Sequence, residues 1–368
     1  LMIRRLGSDG PKLIGGFMIV SAFISMWVMN TSTTLMLLPI GLAICSVVAK
    51  TVPNMSENDK NNFDKALLLS IAYAATIGGM STLVGTAPNI VFSSFMQEVY
   101  GLDILMTDWM KLGVPVSICM LALAWLILTK VVYPVDFVSS DETKNTLSKM
   151  LADMGPMSKD EFRVGIVFFI AAGLWMFRSL IDNYVIGLTD AGIAILVAIA
   201  LFIIPSSDRN GELLSWEQSS KLPWGLLLLF GGGLSLGVQI NDSGLGLWIG
   251  QSLVSLKTVP LIILVMAVAA LIIFLTEVTS NVATTSTFLP VFGAVAVAVG
   301  VAPEVLTVPV VLAASCAFML PVATPPNAIV YGANKFKIID MMRAGLLINV
   351  AGIFVVTIFA YFFAKVIF

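Results

Sequence analysis

Two polar runs in otherwise apolar surroundings share one pattern. Thr276-Glu277-Val278-Thr279-Ser280-Asn281-Val282-Ala283-Thr284-Thr285 aligns with Ser25-Met26-Trp27-Val28-Met29-Asn30-Thr31-Ser32-Thr33-Thr34 once Asn281 is set on Asn30. Each asparagine has a hydroxyl five residues before it, a Thr-Thr pair three and four after, and a proline nine after, Pro39 or Pro290. A second pair of motifs follows in the same order, Gly85-Thr86-Ala87-Pro88-Asn89 and Ala323-Thr324-Pro325-Pro326-Asn327. No Lys or Arg falls in any of the four. The chemistry on offer is amide and hydroxyl oxygen, free N–H groups where half-helices start, and carbonyls released where helices unwind. Helix N-termini attract anions, and oxygen ligands suit a hard cation. A dianion bound together with Na⁺ would have its charge compensated without a basic side chain.

These segments need a scaffold that carries them to membrane depth. The chain is 58% hydrophobic and 11% charged, with mean hydropathy +0.98, where a soluble domain has about a quarter of its residues charged. Apolar runs at 112–128, 191–204 and 346–363 reach or approach the length that spans a hydrocarbon core. The expected fold is an all-α polytopic membrane protein, built as an inverted repeat with two re-entrant helical hairpins and two unwound transmembrane helices. Residues 13–29 and 32–49 are uncharged arms around Asn30-Thr31, and the Asn-Thr-Ser-Thr-Thr run competes for backbone hydrogen bonds. A re-entrant hairpin over 12–50 fits, since irregular backbone at that depth must line a cavity or lie inside protein. A broken helix at 63–99, interrupted at 85–89, and a span at 112–132 complete a first repeat, 1–132. Residues 133–161 read as a polar cytoplasmic linker. The second repeat, 162–368, holds spans within 162–254, a hairpin at 260–300, a broken helix at 308–336 and a final span at 342–367. Leu1 leads almost directly into the first hairpin, so further helices are expected upstream. Cys45, Cys119 and Cys316 lie singly in apolar runs and read as packing residues.

Charge sets the orientation. Put the base of the first hairpin in the cytoplasm and change sides at every full span. All of the 20 Lys and Arg except Lys111, Arg178, Lys257 and Lys365 then fall on the cytoplasmic side, as the positive-inside rule requires. The second hairpin enters from the opposite face, which is why the duplication is expected to be inverted, with substrate held near the midplane between the halves.

Taken together, Asn30-Thr31, Ser280-Asn281-Val282 and the two proline motifs resemble the signature of the divalent anion:sodium symporters, carriers of dicarboxylates, citrate and sulfate. The resemblance covers nearly the whole chain, including Leu222-Pro223-Trp224-Gly225-Leu226 and Phe230-Gly231-Gly232-Gly233-Leu234. It implies Na⁺ as co-transported ion and no organic cofactor. It implies a first cation site of Ser25, Met29 through its carbonyl, Asn30 and Gly85, and a second of Thr276, Thr279, Asn281 and Ala323. Substrate contacts would come from Asn30, Thr31, Ser280, Asn281 and the backbone N–H of Val282, with Thr86, Thr324 and Pro325 close by. The resemblance further implies a homodimer in the plasma membrane that works by an elevator motion. The expected partners are thus a small anion, the lipid bilayer and a second copy of the chain, with no nucleic acid. Met29 departs from the family's first motif, where a serine stands, and leaves only a carbonyl for a cation. Val282 in place of threonine occurs among the family's carboxylate carriers, which implies succinate-like di- and tricarboxylates, citrate included, over sulfate.

Three functions stay open on the residues. One is the Na⁺-coupled symporter, and a second is a cation-independent exchanger of the same fold, which Met29 keeps in play. The third, an intramembrane enzyme, needs a catalytic pair such as two aspartates or Ser-Lys at membrane depth. No such pair occurs, so no catalytic residues are expected. Proton coupling is disfavoured, because the chain has no His and almost no carboxylate in its apolar arms. Glu277 is the exception, and it reads equally as a functional group or as a structural hydrogen bond to a neighbouring helix end. Thr33, Thr34, Thr284 and Thr285 read equally as helix-packing contacts. The triple glycine, with no strand or P-loop lysine beside it, reads as close helix packing.

Overall fold

The computed structural model describes residues 9–52, 55–137, 155–181, 188–207, 211–220, 224–245, 248 and 259–368. Residues 138–154 of the expected linker, Leu222-Pro223, Lys257 and the end of the 224–254 stretch lie outside the described residues. The described chain is helical, with one isolated β-bridge between Pro205 and Glu212. Among the described residues four helices, Asn30–Thr51, Met106–Val132, Asn281–Val299 and Ile338–Ile367, are long and apolar enough to cross a membrane.

In the first half, α1 (Gly10–Ser25) and α2 (Asn30–Thr51) flank a turn at 26–29, and α3 (Glu57–Gly79) and α4 (Ala87–Tyr100) flank an irregular stretch at 80–86. Helix α5 (Met106–Leu126) widens at its end into a π-helix, Ile127–Val132. Helices α6 (Lys159–Ile181), α7 (Asp190–Ile203), the single turn α8 (Trp216–Ser219) and α9 (Trp224–Asp242) follow. Then α10 (Leu261–Thr276), α11 (Asn281–Val299), α12 (Glu304–Ala314) and α13 (Pro325–Tyr331) repeat the order of α1–α4, and α14 (Ile338–Ile367) ends the chain.

The first break lies ahead of the expected 85–89. Helix α3 stops at Gly79, and Pro88 and Asn89 already belong to the first turn of α4. A proline there lacks only an N–H that has no intrahelical partner, so it starts a helix rather than interrupting one. Pro325-Pro326 open α13 in the same way. Helix α3 also begins earlier than residue 63, because Ser56 caps it, accepting from Asp59 N at 3.1 Å.

The chain divides into two compact units, one of Leu1–Ile104, Asp108–Lys149 and Leu229–Phe368, the other of Leu105–Thr107 and Met150–Leu228. All four motifs lie in the first. Its centre is α3 and α12, which are buried around their circumference, with Leu67, Leu68 and Leu69 in one and Leu306, Val308 and Val310 in the other at 0% exposure. A helix apolar on every side belongs inside. Helices α1 and α2 close on α3, and α10 and α11 close on α12. Gly78 permits this, since a Cβ there would collide with the backbone of Ala22. The halves also interlock, α13 packing on α2 and α4 on α11.

Helix α14 links two ends of this unit about 40 Å apart. Near its start, Asp340 pairs with Lys65 at 2.9 Å and Lys335 with Asp64 at 3.4 Å. Phe63 there meets Phe137 edge to face, and Gly10 N donates to Phe137 O at 3.2 Å. Near its end, Phe368 stacks on Trp109, ring centroids 6.2 Å apart, and lies beside Phe92 of α4, the helix whose Tyr100 hydroxyl approaches Gly293 of α11. In the second unit α6 and α7 pack together, and Arg178 pairs with Asp190 at 3.2 Å.

Candidate functional site

Side-chain caps occur on α3, α7 and α8, whereas α1, α10 and α12 start without one. Ser56, Thr189 and Ser215 accept from backbone N–H groups of the turns they precede. Helices α2, α4 and α11 have no side-chain cap, although Thr86 and Ser280 stand at the N-cap positions of the last two. In α2 and α11 the first N–H groups therefore stay available to an anion, whereas in α4 Pro88 has none and Asn89 N bonds Thr86 O at 3.2 Å.

Asn30 opens α2, and one terminal atom of its amide lies 2.8 Å from Ser25 Oγ and 3.2 Å from the carbonyl oxygens of both Ala75 and Gly85. With nitrogen in that place the amide donates to all three. With oxygen in that place the cluster holds four oxygens and only the Ser25 hydroxyl as donor, a set that a hard cation binds. Glycines make the room. A Cβ at Gly85 would meet the carbonyl oxygens of Gly79 and Met26 at 2.5 and 2.9 Å, and one at Gly79 would collide with Asn30 Oδ1. The break is braced by Thr82, whose hydroxyl donates to Met26 O and accepts from Gly85 N at 3.0 Å. Asn89 Nδ2 donates to Thr82 O at 2.7 Å and reaches Gly79 O and Met80 O at 3.4 Å.

The second copy repeats this arrangement. Thr276 Oγ1 lies 2.9 Å from Asn281 Oδ1 and 3.0 Å from Ala314 O, one proton for two acceptors. Thr285 donates to Asn281 O at 2.7 Å, as Thr34 does to Asn30 O at 2.8 Å. Asn327 Nδ2 donates to Ala317 O and Leu320 O, both at 3.0 Å, the counterpart of Asn89.

The structure brings Ser25, Asn30 and Gly85 into one cluster, and Thr276 and Asn281 into another. Met29 stands apart, with its side chain 52% exposed and its carbonyl accepting from Thr33 N at 3.1 Å. Thr279 spends its hydroxyl on Leu275 O at 2.9 Å and on Thr284 Oγ1 at 2.6 Å, leaving its carbonyl for a ligand. Ala323 ends the second break, its N–H bonded to Leu320 O at 3.2 Å, without a described bond to Thr276 or Asn281. Thr31 and Thr86 are half-buried, Ser280 and Pro325 exposed, and Thr324 is buried and caps α13 by accepting from Asn327 N at 3.3 Å. The Val282 side chain is buried, so only its backbone faces the helix start. Gly233 packs against Ser286, where a Cβ would collide. Sequence reasoning missed the carbonyl of Ala75 and the braces Thr82, Asn89 and Asn327. The two asparagines end matching motifs, which was a signal; a carbonyl ligand carries none in its side chain.

Comparison with known proteins bears on the whole chain. The family described as the sodium:sulfate symporter transmembrane region matches residues 1–368. A protein of Staphylococcus saprophyticus named sodium-dependent dicarboxylate transporter SdcS is 37% identical over 367 residues, 98% of this chain and 71% of that protein. Its namesake from Staphylococcus aureus MRSA252 is 37% identical over 372 residues, 100% of this chain and 72% of that protein. The crystal structure of the Alcanivorax borkumensis YdaH transporter is similar in fold, with a TM-score of 0.58 at 14% identity, over 98% of this chain and 79% of that one. Matched from end to end, the chain is an integral membrane transporter rather than an enzyme and belongs to the sodium:sulfate symporter family.

Proposed function

We propose that the chain carries di- or tricarboxylate anions of the succinate, malate, fumarate or citrate kind across the plasma membrane, coupled to Na⁺. One observation carries this reading: two matching oxygen clusters, Ser25 with Asn30, Ala75 and Gly85, and Thr276 with Asn281 and Ala314, each beside a helix start without a side-chain cap. The oxygens suit Na⁺ and the free N–H groups suit carboxylate. The names of the staphylococcal relatives support both the ion and the substrate class.

The halves are proposed to be inverted in the membrane, with α1–α2 and α10–α11 as re-entrant hairpins. Supporting this, Gly10 at the base of the first pair lies at the Lys65–Asp340 end, and Gly293 of the second pair joins the helix that reaches Trp109 and Phe368. An elevator motion and a homodimer are carried over from the resemblance. Met29, with no hydroxyl to offer, favours a second reading, an exchanger that works without Na⁺.

Uptake of radiolabelled succinate, citrate and sulfate by proteoliposomes, with Na⁺ or with choline, tests this. Carboxylate uptake that needs Na⁺ is expected. Uptake equal in choline would establish the exchanger, and uptake of sulfate alone would overturn the substrate class.

A further inference from the structure

Glu277 is 3% exposed, one residue from the ligand oxygen of Thr276. Its Oε1 accepts from Phe318 N at 2.7 Å, Met319 N at 2.9 Å and Asn349 Nδ2 at 2.7 Å, and its Oε2 from Leu320 N at 3.0 Å. All four partners are donors, so both carboxyl oxygens serve as acceptors. Three successive N–H groups of the break between α12 and α13 thus converge on one side chain, and α14 supplies the fourth. The bonds continue past it: Leu320 O accepts from Ala323 N at 3.2 Å and from Asn327 Nδ2 at 3.0 Å. On the other side, Thr276 holds Asn281. The carboxylate therefore ties the stretch that ends in Ala323 to the turn that carries Thr276 and Asn281. Residue 26, aligned with Glu277, is Met, so the first cluster has no counterpart.

We infer that Glu277 is a positioning residue that fixes the geometry of the second oxygen cluster and thereby sets its cation affinity. This rests on the Na⁺-coupled reading above. The carboxylate touches neither ion nor substrate; it acts through the backbone it holds. Its bonds are buried, and a buried N–H left without its acceptor is costly enough to displace its neighbours. Glutamine has nearly the same shape but offers one oxygen and an amide NH₂ where four donors need two oxygens, so Glu277→Gln leaves at least one N–H facing a donor.

The experiment measures uptake across a Na⁺ series, and the Na⁺-induced rise in melting temperature of the purified protein, which reports binding without transport. In Glu277→Gln the Na⁺ needed for half-maximal uptake is expected to rise about tenfold, with substrate affinity at saturating Na⁺ little changed and the Na⁺-induced melting shift reduced. Asn349→Ala, which keeps the carboxylate and removes one donor, should move both readouts in the same direction by about threefold. A purely structural role would lower the melting temperature equally with and without Na⁺ and leave the half-maximal concentration alone. That result overturns the inference. If Glu277→Gln is not recovered folded, Asn349→Ala decides by the same criteria. A wild-type protein indifferent to Na⁺ in both assays overturns the Na⁺-coupled reading itself, whereas a Na⁺-dependent wild type with unshifted variants overturns this inference alone.

Discussion

In the first half of the molecule the hydroxyl of Thr82 reaches from the broken helix to the carbonyl of Met26 in the neighbouring turn. In the second half the donors again lie on the broken helix, but they are backbone N–H groups of Phe318, Met319 and Leu320, and the acceptor is a side chain, the carboxylate of Glu277 in the turn. The aligned positions have exchanged roles: Thr82 corresponds to Leu320, and Met26 to Glu277. The parts common to both halves are an amide on the first helical residue, a hydroxyl five residues before it, a threonine bonded back to its carbonyl, and an uncapped helix start. The oxygens and the bracing asparagines, Asn89 and Asn327, are shared, whereas the bonds that tie each break to its turn are not.

The strongest way to break this comparison is to remove the amides. Asn30→Ala and Asn281→Ala should each abolish uptake while the protein still inserts and purifies, because in the proposed function each amide serves a cation cluster and the adjoining anion site, where misplaced ligands are costly. Proteoliposome uptake beside recovered yield is the measurement. Wild-type rate and affinity in either variant would detach that half from the site.

The bracing asparagines come next. Asn89→Leu removes the amide donor from Thr82 O and Asn327→Leu removes it from Ala317 O, while Leu320 O keeps its bond from Ala323 N. Each should lower stability by about 1–3 kcal/mol, read as a lower melting temperature in detergent. Loss in one half only would show that the other break is held by its remaining bonds.

Much of this was legible in the sequence because duplication and helix-breaking chemistry leave marks in residue type. The asparagines, the hydroxyl before each and the prolines after them point to the two turns and the two breaks, and the structure has them in that order. Other features leave no mark. Ala75 contributes a carbonyl, which any residue has. The breaks begin at Met80 and Ser315 rather than at the prolines, because proline suits a first helical turn and tertiary bonds from Asn89 and Asn327 set where unwinding starts. Thr279, a ligand by family likeness, has its hydroxyl bonded within its own turn, which leaves its carbonyl as the oxygen it can offer.

Met29 offers a smaller effect that sharpens the comparison between cation clusters. Its counterpart, Ser280, carries a hydroxyl at the same N-cap position. Met29→Ser puts a hard oxygen at the N-cap next to Asn30, in place of an exposed thioether that Na⁺ ignores. One neutral contact is worth on the order of 1 kcal/mol, or several-fold in affinity. The Na⁺ concentration for half-maximal uptake should fall accordingly in a Na⁺ series. An unchanged or weaker Na⁺ dependence would mean that the first cluster is not a cation site in this protein.

The smallest predicted effect isolates one hydroxyl. In the second half Thr284 shares a 2.6 Å hydrogen bond with Thr279. In the first half the residue aligned with Thr279 is Val28, and the Oγ1 of Thr33, aligned with Thr284, is buried without a partner. Val28→Thr keeps the branched shape and supplies the missing oxygen. If the two turns share geometry, the new hydroxyl meets Thr33 and donates to the carbonyl of Ile24, as Thr279 does to that of Leu275. A satisfied buried hydroxyl contributes about 0.5–1 kcal/mol, so the melting temperature should rise slightly with uptake unchanged. Adding Thr33→Val should cancel the gain, since the benefit depends on the pair. A gain that survives Thr33→Val, or no gain at all, would mean that the first turn is built differently from the second despite its matching sequence.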